Sequence, residues 1–282
     1  MINNHIEIYD NIIDSETTNI LKQMIRQPEE IDIGMLMLHR NPVIDRTKNI
    51  ECKLGLFIHE LLLQINDNTK YLEYWIHTDS KGIGFHRDCD DELLSKKDIL
   101  LIPEKAHILY LDNEVYCPTM ILNNNTMLMS PNVSGRLTRF DGNLYHSVGI
   151  PGINFNNNNT VIKKYNRNVI LFNTWSEENY NSSTFPVSKN IFKYKNINKI
   201  ECNNISNWKI IEPIINESSS YDYKLLFRFL REKRARKTEN YTNYFTNIQL
   251  EKGILEFMLS SDIIEYYNKR LLIPFIIKFI FN

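Results

Sequence analysis

Between Tyr71 and Trp175 the sequence consists of short apolar runs separated by turn signals, and this pattern limits the possible fold more than any other feature. The runs occupy residues 72–76, 83–86, 107–111, 119–122, 126–129, 135–140 and 168–175. Turn-forming pairs such as Asp141-Gly142 and Pro151-Gly152 lie between or beside them. Many short strands at this spacing predict an antiparallel sandwich or barrel.

Helical patterns precede these runs. Residues 14–27 have apolar side chains on one helical face, with Asp14 or Ser15 as the cap and Pro28 as the stop. Residues 31–39 read as a strand, and residues 54–65 as a buried helix. We therefore predict an α+β fold in which N-terminal helices pack against one sheet of a jelly roll.

The pattern weakens after Trp175, and we place a soft domain boundary near Ser176. Residues 1–175 would form the jelly-roll domain with its N-terminal helices, and residues 176–282 an extension that is irregular and then helical. Strand-like fragments occur near residues 192–194 and 208–211, and helices are predicted at 221–237, at about 248–258 and at about 262–272.

Composition excludes several partners and compartments. Net charge is −1 and 43% of residues are apolar, so no global field attracts nucleic acid or an anionic membrane. The four cysteines form no C-x-x-C pair, which favours a reducing, intracellular and probable cytoplasmic setting over an oxidising one. We expect no signal peptide, and the apolar segment 271–282 is too short to span a bilayer.

The motif with the clearest chemistry is His86-Arg87-Asp88. Residues i and i+2 of a strand point to the same face, so one imidazole and one carboxylate can converge on a metal ion. His146, between two turn signals, offers a third ligand. Two histidines and one carboxylate leave three positions open, which suits Fe(II) that binds a chelating co-substrate and O₂. A second such triplet, residues 77–79, precedes the turn and is the weaker candidate.

Arg167 is the candidate anchor for a dicarboxylate co-substrate. The far carboxylate of such a molecule needs a buried counter-charge, and arginine offers a two-pronged donor that matches it. Arg136 and Arg139 are the alternatives, because they also stand on predicted strands of this half.

These motifs together resemble the Fe(II)/2-oxoglutarate-dependent dioxygenases, whose signature is H-x-D, a distal His and a co-substrate Arg. The resemblance covers about residues 71–175 and includes the segments 73–75 (EYW), 86–92 (HRDCDDE), 106–111 (AHILYL), 117–122 (CPTMIL), 135–148 (GRLTRFDGNLYHSV) and 167–175 (RNVILFNTW). It implies a double-stranded β-helix with His86, Asp88 and His146 as iron ligands and Arg167 on the C5 carboxylate of 2-oxoglutarate.

The same resemblance implies an oxidoreductase that uses O₂ to oxidise an unidentified primary substrate, by default through hydroxylation, with formation of succinate and CO₂. The alternative is a catalytically inactive jelly-roll module that binds a partner. A third hypothesis assigns function to the basic end of residues 221–237, which is compatible with a nucleic-acid partner, although a solvated helix end is the favoured interpretation. Residues 90–92 are expected to form a solvated loop, and Cys89 to point away from the metal.

Overall fold

The computed structural model describes residues 5–26, 35–39, 53–78, 83–123, 126–148, 167–176, 184–186, 200–212, 214–216 and 255–258. Its α-helices are α1 (Ser15–Arg26), α2 (Lys53–Gln64) and α3 (Asp91–Lys97), and a 3₁₀ turn covers Ile205–Asn207. Its strands are β1 (Ile6–Asp10), β2 (Met35–His39), β3 (Tyr71–His77), β4 (Ile83–His86), β5 (Lys105–Tyr110), β6 (Glu114–Asn123), β7 (Thr126–Asn132), β8 (Leu137–Asp141), β9 (Tyr145–Val148), β10 (Val169–Trp175), β11 (Thr184–Pro186), β12 (Lys209–Ile210), β13 (Ile214–Asn216) and β14 (Leu255–Met258).

The strands form two sheets that are almost entirely antiparallel. The larger sheet has eight strands in the order β11-β2-β3-β10-β5-β8-β1-β12, and the smaller has six in the order β13-β14-β7-β6-β9-β4. Two pairs at the sheet edges, β11 with β2 and β13 with β14, are parallel. The predicted succession of short antiparallel strands is therefore confirmed.

Apolar side chains cover the larger sheet on both faces. On one face Leu72, Leu109 and Phe172 pack with α1 and α2 in one core cluster. On the other face Ile108 and Phe140 meet Ile121 and Leu128 of the smaller sheet. Because successive strand residues point to opposite faces, each strand of the larger sheet contributes to both cores.

The two N-terminal helices lie where the sequence predicts them. Asp14 caps α1, since its carboxylate accepts the backbone N–H of Thr17 at 2.7 Å, and the helix ends at Arg26, ahead of Pro28. Helix α2 buries Phe57, Ile58, Leu61 and Leu62. No helix in the described residues has the length and apolarity that a membrane crossing requires.

Residues beyond Ser176 contribute strands to both sheets. Strand β12 pairs with β1, as the strand-like pattern at 208–211 predicts, and β14 pairs with β7. The predicted helix at about 248–258 is wrong at residues 255–258, which form β14. Apolar residues at 254, 255, 257 and 258 fit a short strand as well as a helix, and pairing with β7 decides between them.

Other expectations for the C-terminal half are not tested. The helices at 221–237 and 262–272 and the fragment at 192–194 lie outside the described residues. The domain boundary near Ser176 stays a prediction.

A buried ion pair ties β1 to the residue that precedes β8. Arg136, with a side chain 1% exposed, donates to both carboxylate oxygens of Asp10 at 2.6 and 2.9 Å. Removal of the carboxylate would leave a buried guanidinium without its counter-charge. We expect Asp10→Ala to lower the free energy of unfolding by roughly 3 kcal/mol in a urea titration.

Lys96→Ala is the control for this prediction. Lys96 is 69% exposed and pairs with Glu92 one helical turn away, so its loss should cost no more than about 0.5 kcal/mol. Equal, small losses for the two variants would contradict the role given to the Asp10–Arg136 pair.

Candidate metal centre

Strand register brings two histidines together. Strands β4 and β9 are antiparallel neighbours in the smaller sheet, and His86 lies directly opposite His146. Their ring centroids are 4.3 Å apart. The His146 ring also meets the edge of Phe140, a member of the core between the sheets, at 5.0 Å. Both imidazoles therefore lie at the inner face of the smaller sheet.

Asp88 follows two residues after His86 and completes the group. Its Oδ1 lies 3.6 Å from His86 Nε2 and 3.9 Å from His146 Nε2. One donor atom from each of the three residues lies within 4.8 Å of the others. Within the described part of the chain, these three residues form the one group of His, Cys, Asp and Glu side chains with such spacing.

Exposure differs across the three residues. The His146 side chain is 8% exposed, that of Asp88 17% and that of His86 40%. The group is therefore open to solvent on the side of His86, at the edge strand β4 of the described six-stranded sheet.

The protonation of His146 suits a metal ligand. Burial lowers its pKa to about 4, against the opposing effect of the Asp88 carboxylate, so the ring is neutral at pH 7. Its Nδ1 lies 3.4 Å from the carbonyl oxygen of Leu144. A carbonyl can only accept, so Nδ1 carries the proton and donates, and the Nε2 lone pair faces Asp88.

A short helix holds the segment after Asp88. Asp90 caps α3 by accepting the backbone N–H of Leu93 at 2.8 Å, and its own N–H donates to Leu101 O at 2.9 Å. The prediction of a solvated loop at residues 90–92 is wrong, because Asp90 is fully buried and the acidic residues at 91 and 92 begin a helix that ends in lysines.

The turn between β8 and β9, which leads to His146, packs closely on the segment that leads from α3 to β5. Gly142 donates its N–H to Glu104 O at 3.2 Å. A Cβ atom at position 142 would lie 2.0 Å from the carbonyl oxygen of Pro103, so only glycine fits there without displacing backbone. The two ligand-bearing segments are thus in direct contact.

Arg167 lies fully buried in a second polar cluster. Its Nη2 donates to the hydroxyl of Thr119 at 3.1 Å, and the Tyr110 hydroxyl donates to the same oxygen at 2.7 Å. The guanidinium carbon lies 5.9 Å from the Tyr110 ring centroid. Thr119, Tyr110 and Arg167 are each 0% exposed.

Register places this cluster close to the three ligand candidates. On the inner face of β6, Ile121 is opposite His146, and Thr119 is opposite Val148. Thr119 is therefore two residues, or about 7 Å, along the strand from the level of His146. The Arg167 charge also contributes to the lowered pKa of His146. The spacing is comparable to the length of an extended five-carbon chain.

The alternative arginines have other partners. Arg139 donates to Glu7, Asp67 and His107 at 2.8, 3.3 and 3.2 Å. Arg136 is paired with Asp10. Neither contacts the three ligand candidates, which leaves Arg167 as the buried arginine near them in the described residues.

Other residues from the sequence analysis lie apart from the metal group. The Cys89 thiol donates to Asp91 at 3.6 Å, and burial raises its pKa to about 12. His77 ends β3, opposite Val169, and Asp79 of the second H-x-D triplet lies outside the described residues.

Three polar residues near the candidate centre were not identified from sequence. Thr119 and Tyr110 contact Arg167, and Asn173 Nδ2 donates to Asp88 Oδ2 at 3.0 Å. A signal existed for Asn173, since residues 167, 169, 171 and 173 share one strand face with Arg167. For Thr119 and Tyr110 the sequence offers none, because their proximity depends on pairing between distant strands.

No protein-family model matches this sequence, and no curated protein matches it either. Solved structures with a similar fold include HygX from Streptomyces hygroscopicus with iron bound, at 10% identity over 60% of this chain and 81% of that chain, with a TM-score of 0.38. A Pseudomonas putida prolyl-4-hydroxylase has 15% identity over 61% and 86%, with a TM-score of 0.37. A 2OG-Fe(II) oxygenase family oxidoreductase from Burkholderia pseudomallei has 13% identity over 60% and 82%, with a TM-score of 0.37. Likeness at this level assigns no function, so the proposal below depends on the residues of this chain.

Proposed function

We propose that this protein is an Fe(II)- and 2-oxoglutarate-dependent dioxygenase. The observation that carries the proposal is the convergence of His86, Asp88 and His146. The buried Arg167 cluster, about two strand residues away, supports it. The products would be succinate, CO₂ and an oxidised, by default hydroxylated, primary substrate.

The strand order supports a double-stranded β-helix. Strands β3 to β10 supply β3-β10-β5-β8 to the larger sheet and β4-β9-β6-β7 to the smaller. Eight strands divided four and four between two facing antiparallel sheets are the arrangement of a jelly roll. The ligand candidates then lie on neighbouring strands of one sheet, and Arg167 at the start of a strand of the other.

The three residues fit Fe(II) by their chemistry. Two imidazole nitrogens and one carboxylate oxygen on one side of an ion leave the other coordination positions open, as non-haem Fe(II) oxygenases require. His146 is already neutral, and His86 lies on the accessible side. The chemistry that iron and 2-oxoglutarate supply in such a site is oxidative decarboxylation of the keto acid coupled to transfer of one oxygen atom of O₂ to the substrate.

The Arg167 cluster would bind and orient the far carboxylate of 2-oxoglutarate. A guanidinium provides parallel N–H donors that match a carboxylate, and in a buried setting such charge-assisted hydrogen bonds are strong. The hydroxyls of Thr119 and Tyr110 lie beside it as further polar contacts. Burial of all three side chains would keep water out of this end of the site.

Formation of succinate tests the proposal without knowledge of the primary substrate. Such enzymes are expected to decarboxylate 2-oxoglutarate slowly when no substrate is present. We expect purified protein with Fe(II), ascorbate, O₂ and 2-oxoglutarate to form succinate, and Asp88→Ala to form none above the protein-free rate. A protein that binds metal but never forms succinate would favour the inactive binding module.

A further inference from the structure

Asn173 is the buried polar residue that contacts the metal group directly. Its side chain lies on the inner face of β10, between Glu73 of β3 and Ala106 of β5, and is 1% exposed. Its Nδ2 lies 3.0 Å from Asp88 Oδ2. An ionised carboxylate can only accept hydrogen bonds, so the amide must present its NH₂ group to Asp88.

This contact distinguishes the two oxygens of Asp88. Oδ2 is held by Asn173, whereas Oδ1 faces His86 Nε2 and His146 Nε2 at 3.6 and 3.9 Å. One oxygen is therefore available to a metal ion while the other is held in a hydrogen bond. A fixed carboxylate loses less rotamer freedom when it binds an ion, and its orientation is set in advance.

The other amide atom of Asn173 is also informative. Its Oδ1 is buried and has no hydrogen-bond partner in the part of the chain that the structure describes. A buried acceptor without a donor is costly, so such atoms usually face a water molecule or a ligand. A water molecule bound to the metal, next to Asp88, would supply that donor.

We infer that Asn173 is a positioning residue for the metal centre, which orients Asp88 through its NH₂ group and accepts a hydrogen bond from a metal-bound water through its Oδ1. The inference rests on the proposed function, because it requires that Asp88 binds a metal. It adds a residue on β10 to the set that sets metal affinity.

The test is the affinity of metal-free protein for Co(II), measured by calorimetry. Asn173→Ala removes both hydrogen-bonding atoms, and Asn173→Leu removes them while it retains the side-chain volume. We expect both variants to bind Co(II) about 10- to 100-fold more weakly than wild type, the usual cost of losing a group that orients a ligand.

Asn168→Ala is the matched control. Asn168 is 2% exposed, precedes the same strand, and donates its side-chain NH₂ to Asp112, far along the chain from the ligand candidates. It should lose stability in the metal-free form but keep wild-type Co(II) affinity. The thermal unfolding midpoints of the three metal-free variants separate loss of fold from loss of binding.

The outcomes separate this inference from the proposed function. Wild type that binds Co(II), together with a folded Asn173→Ala or Asn173→Leu that binds it equally well, overturns the role of Asn173 alone. An equal loss of affinity in Asn168→Ala also overturns it, because the effect would then be general. Wild type that binds no Co(II) overturns the metal centre and this inference with it.

Discussion

Asp88→Ala should abolish high-affinity binding of divalent metal ions. Asp88 supplies the single carboxylate of the three-residue group and lies between the two histidines, with its Oδ1 within 4 Å of both Nε2 atoms. Loss of a group that merely orients a ligand costs roughly 10- to 100-fold in affinity. Loss of the ligand itself should therefore weaken Co(II) binding by at least about 100-fold, as measured by calorimetry on metal-free protein.

Asp91→Ala provides the control for Asp88→Ala. Asp91 is an exposed carboxylate three residues further along the same segment, and it lies outside the metal group. The control should bind Co(II) within about threefold of wild type, since distant exposed charges are screened by salt. If Asp88→Ala kept wild-type affinity, the metal would have to bind elsewhere and the centre described above would be wrong.

Arg167→Leu should remove most of the affinity for 2-oxoglutarate while leaving metal affinity nearly unchanged. Loss of one partner from a buried, hydrogen-bonded charge pair costs about 2–5 kcal/mol, which is at least roughly 30-fold in Kd. The Arg167 side chain is fully buried and contacts Thr119, so a carboxylate bound there would be shielded from water. Calorimetry with 2-oxoglutarate on the Co(II)-loaded protein measures the change.

A second ligand makes this prediction specific. 2-Oxopentanoate has the same keto-acid end as 2-oxoglutarate but a methyl group in place of the far carboxylate. Wild type should prefer 2-oxoglutarate strongly, and Arg167→Leu should lose most of that preference. A variant that binds both ligands more weakly by the same factor would contradict the assignment of the far carboxylate to Arg167.

Local sequence signals predicted much of the fold. The α1 cap at Asp14, the stop before Pro28 and the strands around the H-x-D motif depend on neighbours in sequence, and the structure has them at the predicted places. Helix α3 was missed because a run of charged residues was interpreted as solvated loop. Its capping aspartate and its acid-to-base order were sufficient signals.

Long-range pairing explains what the sequence could not predict. The convergence of His86 with His146 was expected from the resemblance, but their direct opposition is a property of the β4–β9 register. The neighbourhood of Arg167, Thr119 and Tyr110 depends on three strands in two sheets. Strand β14 is four residues long, and such short edge strands have no periodicity that distinguishes them from a helix.

The visible spectrum of the protein with Fe(II) and 2-oxoglutarate under argon tests the central claim most directly. It requires no primary substrate, and it reports metal and co-substrate at one site. Chelation of 2-oxoglutarate to iron held by His86, Asp88 and His146 should produce a charge-transfer band that is absent in Asp88→Ala. Folded wild-type protein that shows no such band would contradict the proposed dioxygenase.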